Sequence, residues 1–301
     1  MSKLVWTPNL PFSPDDWANL NIQKIAAGMN CIMVLTAEGE AFQKIKNPHL
    51  GIREDYWYDL KDIALSKTCE GAAIGLMNDG TCMIGKRFLR RFLRDLGSRD
   101  SDFHDVNRVV SAWQNIVQVA CSDAFFALSA EGRVYYARFT PVTNFYDDYY
   151  DARSWENVAK IVAGSTQHAL FGITREGRVL CTGHSCIQGP QGDIREKLAR
   201  FENVADIANS GSEGGRIYLL LRDGSLWDAD GNLIRRDCAA EGHCLEGHYW
   251  LPAVRLADGS AEPIDWSFTG FLPEISQWPH VRELALGNQD WNPPFALALT
   301  D

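Results

Sequence analysis

The chain has 301 residues, of which 46% are hydrophobic and 23% are charged. This composition is typical of a globular protein with a large apolar core. The net charge of −10 argues against generic nucleic-acid binding, and no run of about eighteen apolar residues predicts a transmembrane segment.

The N-terminal segment reads MSKLVWTPNLPFSPDDW and lacks the apolar core of a signal peptide. Its residues 2–7, SKLVWT, have the composition of a strand. Eight cysteines are spread along the chain. Without an export signal, we expect a cytoplasmic protein with reduced thiols, several of them serving as small core hydrophobes.

A short sequence motif recurs along the chain after the N-terminal segment. In each copy an apolar run leads into an acidic residue and a glycine. The glycines are Gly39, Gly80, Gly132, Gly177, Gly224 and Gly259. They lie roughly 44 residues apart, which is the spacing of a structural repeat. A second apolar phrase precedes each of the first five, at 22–28, 60–66, 116–122, 158–164 and 204–210.

These runs are short, rich in β-branched residues and separated by glycine turns, as in strands joined by hairpins. A unit of about 44 residues with three or four strands is a propeller blade, and blades bury their faces by packing in a ring. A seventh copy, WPHVRELALG then FALALTD, ends the chain before its outer strand. We therefore predict an all-β fold, one seven-bladed β-propeller over 1–301, closed by the N-terminal strand joining the last blade. Copy six, YWLPAVRLADGSAEP, is so divergent that six blades is the alternative.

The copy at 154–183 is the clearest, with the pattern W-x-N-V-x-x-I-x-x-G, an apolar run, and T-x-x-G-x-V. This pattern resembles the repeat of the RCC1 (regulator of chromosome condensation) family, and the resemblance covers almost the whole chain. It implies an RCC1-like propeller. Some propellers of that family exchange guanine nucleotides on a small GTPase, so the resemblance also implies that activity as an alternative function.

A first insertion occupies 85–110 and begins GKRFLRRFLRDLG. Its Phe and Leu residues recur at helical spacing opposite a basic face, which predicts a basic amphipathic helix followed by a loop. Four arginines of that face are candidate partner contacts: Arg87, Arg90, Arg91 and Arg94. The alternative is a helix packed across the propeller rim, with its arginines solvated or paired to acidic groups.

A second insertion occupies 139–154 and combines tyrosines with aspartates, as protein interfaces often do. Its candidate contact residues are Tyr146, Asp147, Asp148, Tyr149 and Tyr150. A solvated loop is the alternative. The related sequence REDYWYD, at 53–59, predicts another acidic aromatic loop. Either loop could receive the basic helix, from the same chain or from a second copy, so self-association is a hypothesis.

Two further candidates lie in loops that follow the first strand of their copies, Asp123 and His168. Such loops gather on one face of a propeller, where binding residues often lie. Structural roles are the alternative for both.

Metal binding is not predicted, because neither Cys/His cluster has the paired C-x-x-C form of structural zinc sites. The remaining zinc candidate combines Cys238, His243, Cys244 and His248. The alternative is reduced cysteines beside surface histidines.

Catalytic and cofactor motifs are absent from the sequence, including G-x-S-x-G, the phosphate-binding G-x-x-x-x-G-K-[ST] and H-E-x-x-H. The leading hypothesis is a non-catalytic scaffold without a cofactor. It would bind a protein partner through loops on one propeller face and through the basic helix. Nucleotide exchange on a small GTPase is the first alternative. An enzyme site in the central tunnel is the second, and it would need converging carboxylates or a metal.

Overall fold

The computed structural model describes residues 2–47, 51–85, 100–139, 150–165, 169–183, 186, 193–210, 216–247, 252–264, 274–288 and 294–301. Within these residues the chain forms seven antiparallel sheets of three or four strands, numbered here in chain order. This confirms a mostly β protein of small sheets, arranged as in a β-propeller.

The strands of sheets 1 to 3 are β2 (Ile22–Gly28), β3 (Cys31–Thr36), β4 (Ala41–Asn47) and β5 (Gly51–Trp57); β6 (Leu60–Leu65), β7 (Ala73–Met77) and β8 (Cys82–Ile84); and β9 (Ile116–Cys121), β10 (Ala124–Ser129) and β11 (Val134–Arg138). Those of sheets 4 and 5 are β12 (Val158–Ala163), β13 (Leu170–Thr174) and β14 (Val179–Thr182); and β15 (Val204–Asn209), β16 (Ile217–Leu221), β17 (Leu226–Asp228) and β18 (Leu233–Arg235).

The strands of sheets 6 and 7 are β19 (Leu245–Glu246), β20 (Ala253–Arg255) and β21 (Ala261–Pro263); and β22 (Val281–Gly287), β23 (Phe295–Thr300) and β1 (Lys3–Trp6). The described helices are α1 (Asp100–Ser111) and α2 (Arg195–Leu198), with 3-10 turns at Asp15–Trp17, Tyr150–Ser154 and Ile275–Gln277. The divergent sixth copy therefore forms a sheet of its own.

The recurring glycines make the turns between strands, with φ from +79° to +86°, a region that side chains other than Gly rarely adopt. They also bring neighbouring sheets together. The Gly132 carbonyl accepts a hydrogen bond from the Val158 N–H of the next sheet, at 3.2 Å. A Cβ on Gly132 would lie 2.9 Å from that nitrogen, so the turn and the inter-sheet contact both require glycine.

Asparagines before the inner strands have a backbone reason too. Asn115, Asn157 and Asn203 have φ of +57° to +59°, which Asn tolerates better than most residues. In this conformation the Asn115 carbonyl accepts a hydrogen bond from the Ala130 N–H of its own sheet, at 2.9 Å.

The core lies between sheets, in seven clusters of buried apolar side chains that each join one sheet to the next. Strand β3 shows how: Ile32 and Val34 pack towards sheet 7, whereas Met33 and Leu35 pack towards sheet 2. Successive side chains of a strand point to opposite faces, so a strand covered on both sides is apolar throughout.

The two chain ends meet in sheet 7. Strand β1 pairs antiparallel with β23, and Leu4 lies opposite Leu299 while Trp6 lies opposite Leu297. Strands β2 and β22 are also in contact, and the cluster that contains Leu4 continues into sheet 1. The N-terminal segment thus forms the strand that the sequence predicted for it.

Helix α1 covers the outer strands β8 and β11, with Val110 buried and Val106 half-buried in the cluster between sheets 2 and 3. The basic helix predicted before it lies outside the described residues. The loop predicted to end that insertion is corrected, because residues 100–110 belong to α1. The structure corrects the prediction that REDYWYD, at 53–59, forms a loop. The segment belongs mostly to strand β5 rather than to a loop, because its alternation lets Trp57 point inward while Tyr56 points out.

Candidate functional site

The middle of the molecule holds a cavity of about 520 Å³. Residues from one strand of every sheet line it, and these inner strands are β2, β6, β9, β12, β15, β19 and β22. Ligands usually bind in concave cavities that carry a few polar groups. The side chains that line this cavity therefore decide whether it could support catalysis.

The inner strands carry seven polar side chains in or beside the cavity, here called the polar belt. Its members, one from each sheet, are Lys24, Asp62, Gln118, Lys160, Asp206, Glu246 and Glu283. Five of them line the cavity, whereas Asp62 and Asp206 do not. Six are the third residue of their strand and follow an irregularity in the ladder. A β-bulge re-aims the side chain beside it, which places a polar group next to the neighbouring sheet.

The first half of the belt links sheets 1 to 4. Lys24 forms a salt bridge with Asp62, and Asp62 Oδ2 accepts a hydrogen bond from the Val119 N–H at 3.2 Å. Gln118 exchanges two hydrogen bonds with the Ile161 backbone, each of 2.9 Å. Each belt residue thus bonds to the sheet that follows its own.

The second half continues the same pattern back to sheet 1. Lys160 Nζ lies 2.7 Å from Asp206 Oδ1, and Asp206 Oδ2 accepts hydrogen bonds from two backbone N–H groups before and in β19, both at 3.1 Å. Glu246 accepts one from the Leu286 N–H at 3.4 Å. Glu283 accepts one from the N–H of Ile25, in sheet 1, at 3.2 Å. The links therefore run through all seven sheets.

Two cations reinforce sheet 6. Lys67, from the end of sheet 2, forms a salt bridge with Glu246, so it joins sheets that are far apart in the chain. His243 lies between two carboxylates, with Nε2 at 2.7 Å from Glu246 Oε2 and Nδ1 at 3.3 Å from Asp206 Oδ2.

The pKa values of this group reflect burial opposed by charge. Burial would raise the pKa of Asp206, but Lys160 and His243 outweigh it and hold that pKa well below its usual range. In the same way Lys67 and His243 lower the pKa of Glu246 to about 2. Partial desolvation would lower the pKa of His243, whose side chain is still 38% exposed, yet the two carboxylates raise it to about 9.

Glu283 differs from Asp206 and Glu246 in the direction of its pKa shift. Its burial raises its pKa to about 7, and Lys24 and the Ile25 N–H offset only part of that effect. A carboxyl with such a pKa exchanges its proton near neutrality. It lies at the contact between sheet 7 and sheet 1.

The described residues contain no group of three or more His, Cys, Asp or Glu side chains arranged to hold a metal ion. Cys238 and Cys244 are buried, and His243 binds carboxylates instead of a thiolate pair, while His248 lies outside the described residues. All eight cysteines are buried and none forms a disulfide; burial was expected from the sequence for several of them.

The structure places the other candidates as follows. Outside the described residues lie Arg87, Arg90, Arg91, Arg94, Tyr146, Asp147, Asp148, Tyr149 and His168. Tyr150 begins the 3-10 turn Tyr150–Ser154. Asp123 lies in the expected loop after β9 but is only 1% exposed and accepts a hydrogen bond from Ser122 Oγ at 3.0 Å. A carboxylate covered to this degree is not a surface contact, which corrects that prediction.

The exposed surface carries apolar side chains at its outer strands. Ile52, Tyr56 and Tyr58 are 51%, 53% and 63% exposed along and just after β5. Leu233 and Ile234 of β18 are also exposed. Sequence reasoning found the aromatic residues near β5 but missed the polar belt. Its signal is visible once the copies are aligned, because IQK, LKD, IVQ, VAK, VAD and VRE each end in a polar residue.

Comparison with known proteins finds no matching family model and no matching curated protein. Solved structures do match. Human WBSCR16 is 11% identical, with 93% of this chain and 72% of that one covered and a TM-score of 0.47. For Prp20p from Saccharomyces cerevisiae the values are 10%, 97%, 71% and 0.46. For the β-propeller domain of Myceliophteria thermophila Cps50 (Swd1) they are 11%, 80%, 81% and 0.44.

Prp20 is yeast RCC1, so the family whose repeat this sequence resembles is represented among the similar structures. With TM-scores below 0.5, these similarities bear on neither partner nor activity. No helix in the described part of the chain is long and apolar enough to cross a membrane.

Proposed function

We propose that residues 1–301 form one closed seven-bladed propeller that works as a non-catalytic, cytoplasmic protein-interaction scaffold. Sheets 1 to 7 are its blades, and β1 completes the last of them. The polar belt is the observation that carries this proposal. Acid–base catalysis needs groups that are free to exchange protons with a substrate, whereas Asp62, Asp206 and Glu246 bond lysines, His243 or backbone N–H groups of neighbouring sheets. Glu283, whose pKa is about 7, is the candidate that the test below addresses.

A ring held in this way is a rigid support for variable surface segments, which often carry recognition. The insertions at 85–110 and 139–154 are the proposed binding elements. Arg87, Arg90, Arg91 and Arg94 would contact acidic groups of the partner, and the tyrosines and aspartates of 146–150 would supply contact area and polarity.

The test is binding by the intact chain. A partner captured with the wild-type protein is purified, and its affinity is measured by calorimetry. A variant with Arg87, Arg90, Arg91 and Arg94 changed to Glu is compared with a control that reverses four exposed arginines elsewhere: Arg133, Arg178, Arg200 and Arg236. We expect the first variant to lose its binding to the partner and the control to keep it. Circular dichroism spectra should show that both variants are folded. Equal affinities of the two variants would refute the role of the basic segment.

Two other results would replace the proposal. Release of bound nucleotide from a small GTPase, measured with a fluorescent GDP analogue over a panel of GTPases, would identify an exchange factor. Turnover of a small molecule by the purified protein, abolished by Glu283→Gln, would identify an enzyme in the central cavity.

A further inference from the structure

Strand β5 is a long outer edge. It pairs with β4 over seven residues, from Gly51 opposite Asn47 to Trp57 opposite Ala41. No strand pairs with its other side within the described residues. An edge of this length presents a row of backbone groups to which an extended chain can bond.

Two hydrogen bonds show which residues of β5 point outward. The Lys46 N–H donates to the Asn30 carbonyl, away from β5. In an antiparallel ladder the bonding direction alternates, so Ile45 bonds Arg53, and the backbone groups of Ile52, Glu54 and Tyr56 point away from β4. In agreement, the Tyr56 N–H donates to the Asp55 carboxylate at 3.2 Å rather than to β4.

The same three residues expose their side chains. Ile52 and Tyr56 are about half exposed, and Glu54 lies between them with 40% of its side chain exposed. The Tyr56 ring packs edge-on against Phe42 at 5.6 Å, and its hydroxyl donates to Glu54 at 2.7 Å. These contacts hold the Tyr56 ring and the Glu54 carboxylate in place before anything binds, which reduces the entropy cost of binding.

Charge at this edge is mainly negative. The 78% exposed side chain of Asp16 and the carboxylate of Glu54 share one cation, Lys44, whose own side chain is only 4% exposed. Asp15, which precedes Asp16 in the chain, and Asp59, two residues after the end of β5, are also exposed. A partner that approaches the edge therefore meets an excess of carboxylates, although Arg53 of β5 and the exposed Lys46 opposite Ile52 are positively charged. The lysine shared by Asp16 and Glu54 lies underneath. Such a surface favours Lys and Arg and disfavours acidic partners.

We propose that the outer edge of β5 is a docking site for an extended, basic segment of a partner protein, which joins sheet 1 as an additional strand. The segment bonds the backbone of Ile52, Glu54 and Tyr56. Its apolar side chains pack on Ile52 and Tyr56, and its basic side chains pair with Glu54 and Asp16. This site deepens the proposed scaffold function and depends on it only for the existence of a protein partner.

The experiment measures fluorescence anisotropy of a labelled peptide, acetyl-Lys-Thr-Val-Thr-Lys-Thr-Val-Thr-Lys-amide, with the full chain at low salt. In a strand its Val and Lys side chains share one face, as Ile52, Glu54 and Tyr56 do. The variant Glu54→Lys with Tyr56→Lys is compared with a control on β18 and its turn, Asp230→Lys with Leu233→Lys, which also replaces one acidic and one apolar exposed residue. We expect the β5 variant to bind at least about tenfold more weakly and the control to bind like the wild type.

Two peptide analogues, N-methylated either on every Thr or on every Val and Lys, separate strand pairing from charge attraction alone. Strand pairing uses one edge of the peptide, so one analogue should lose about tenfold or more in affinity. Equal binding of both analogues, equal binding of a peptide with Glu in place of every Lys, or unchanged binding by the β5 variant would overturn the proposal. Dimerisation of the chain that disappears in Glu54→Pro, seen by sedimentation, would overturn it in favour of a second copy as occupant.

Failure here is distinct from failure of the scaffold function. If the peptide does not bind but the captured partner does, and that partner binds the β5 variant normally, only the β5 site is refuted. If the wild-type protein binds neither the peptide nor a protein partner, the scaffold function is refuted as well.

Discussion

Asp206→Asn should destabilise the protein strongly, because Asp206 is the most densely bonded member of the polar belt. It is 1% exposed, lies 2.7 Å from Lys160 Nζ and 3.3 Å from His243 Nδ1, and accepts two backbone hydrogen bonds from the start of sheet 6. The Asn side chain fits the same space. However, it removes the charge and either turns an NH₂ group towards N–H donors or gives up the contact with Lys160.

The magnitude follows from burial. Removing one partner of a buried ion pair costs about 3–5 kcal/mol, since the other charge stays desolvated. The matched control is Asp230→Asn, whose partner is Lys197 at 2.7 Å and whose side chain is 59% exposed. Exposed pairs contribute only about 0–1 kcal/mol. The two substitutions are chemically identical, so the difference of roughly 2–5 kcal/mol isolates the effect of burial.

The assay is urea unfolding at pH 7, followed by circular dichroism and extrapolated to water for wild type and both variants. Adding Lys160→Met to Asp206→Asn should recover part of the loss, because the unpaired lysine is then gone; coupling energies between contacting residues are about 0.5–3 kcal/mol. Free energies of unfolding that agree within 1 kcal/mol between Asp206→Asn and its control would show that the belt does not hold sheets 5 and 6 together.

Three further predictions address the seam, a turn and the first strand. The pKa of Glu283 is about 7 in the folded protein, against an ordinary value of 4.5. The folded state therefore holds a proton that the unfolded state has released, and the free energy of unfolding should fall as pH rises from 4.5 to 7. In urea unfolding curves measured over this pH range, Glu283→Gln should flatten that dependence, and an unchanged slope would contradict the assignment. Gly132→Ala should cost clearly more stability than Gly231→Ala, as both glycines have φ above +80° but only a Cβ at Gly132 meets backbone; thermal melts that shift equally would exclude the inter-sheet contact as the cause. Leu4→Ala should cost about 2–5 kcal/mol, because Leu4 is 4% exposed between sheets 7 and 1, and a loss below 1 kcal/mol would mean that β1 merely lies on the surface.

Much of the fold was predictable because the chain repeats its local chemistry. The glycine turns and the apolar phrases are local signals, and sequence assigned six of the seven inner strands from them. The sixth copy shows the limit. Its inner strand is only Leu245–Glu246, and it survives because neighbouring sheets cover it, with Leu245 packed beside Val254 and Leu220. Such burial is tertiary and leaves little trace in the local sequence.

The candidate site was less predictable for a related reason. Whether a polar residue is exposed depends on which strands surround it, and Asp123 is buried by neighbours distant in sequence. Segment 53–59 was misread as a loop because its charges hid a two-residue alternation that pairs it with β4. When one strand is considered by itself, its belt residue looks like an ordinary surface polar group. Only the common position of these residues beside a bulge in successive sheets shows which neighbours they bond.

The links of the belt differ from sheet to sheet, and this restricts how the repeat could have been rearranged. A lysine of sheet 1 meets an aspartate of sheet 2, an amide of sheet 3 meets backbone of sheet 4, and a lysine of sheet 4 meets an aspartate of sheet 5. Deleting one copy of the repeat or transposing two would leave a charge facing the wrong neighbouring sheet at the cavity, at a cost far above that of a loop insertion. The copies of the repeat are therefore not interchangeable, and a duplicated or transposed copy would need matching changes in its belt residues.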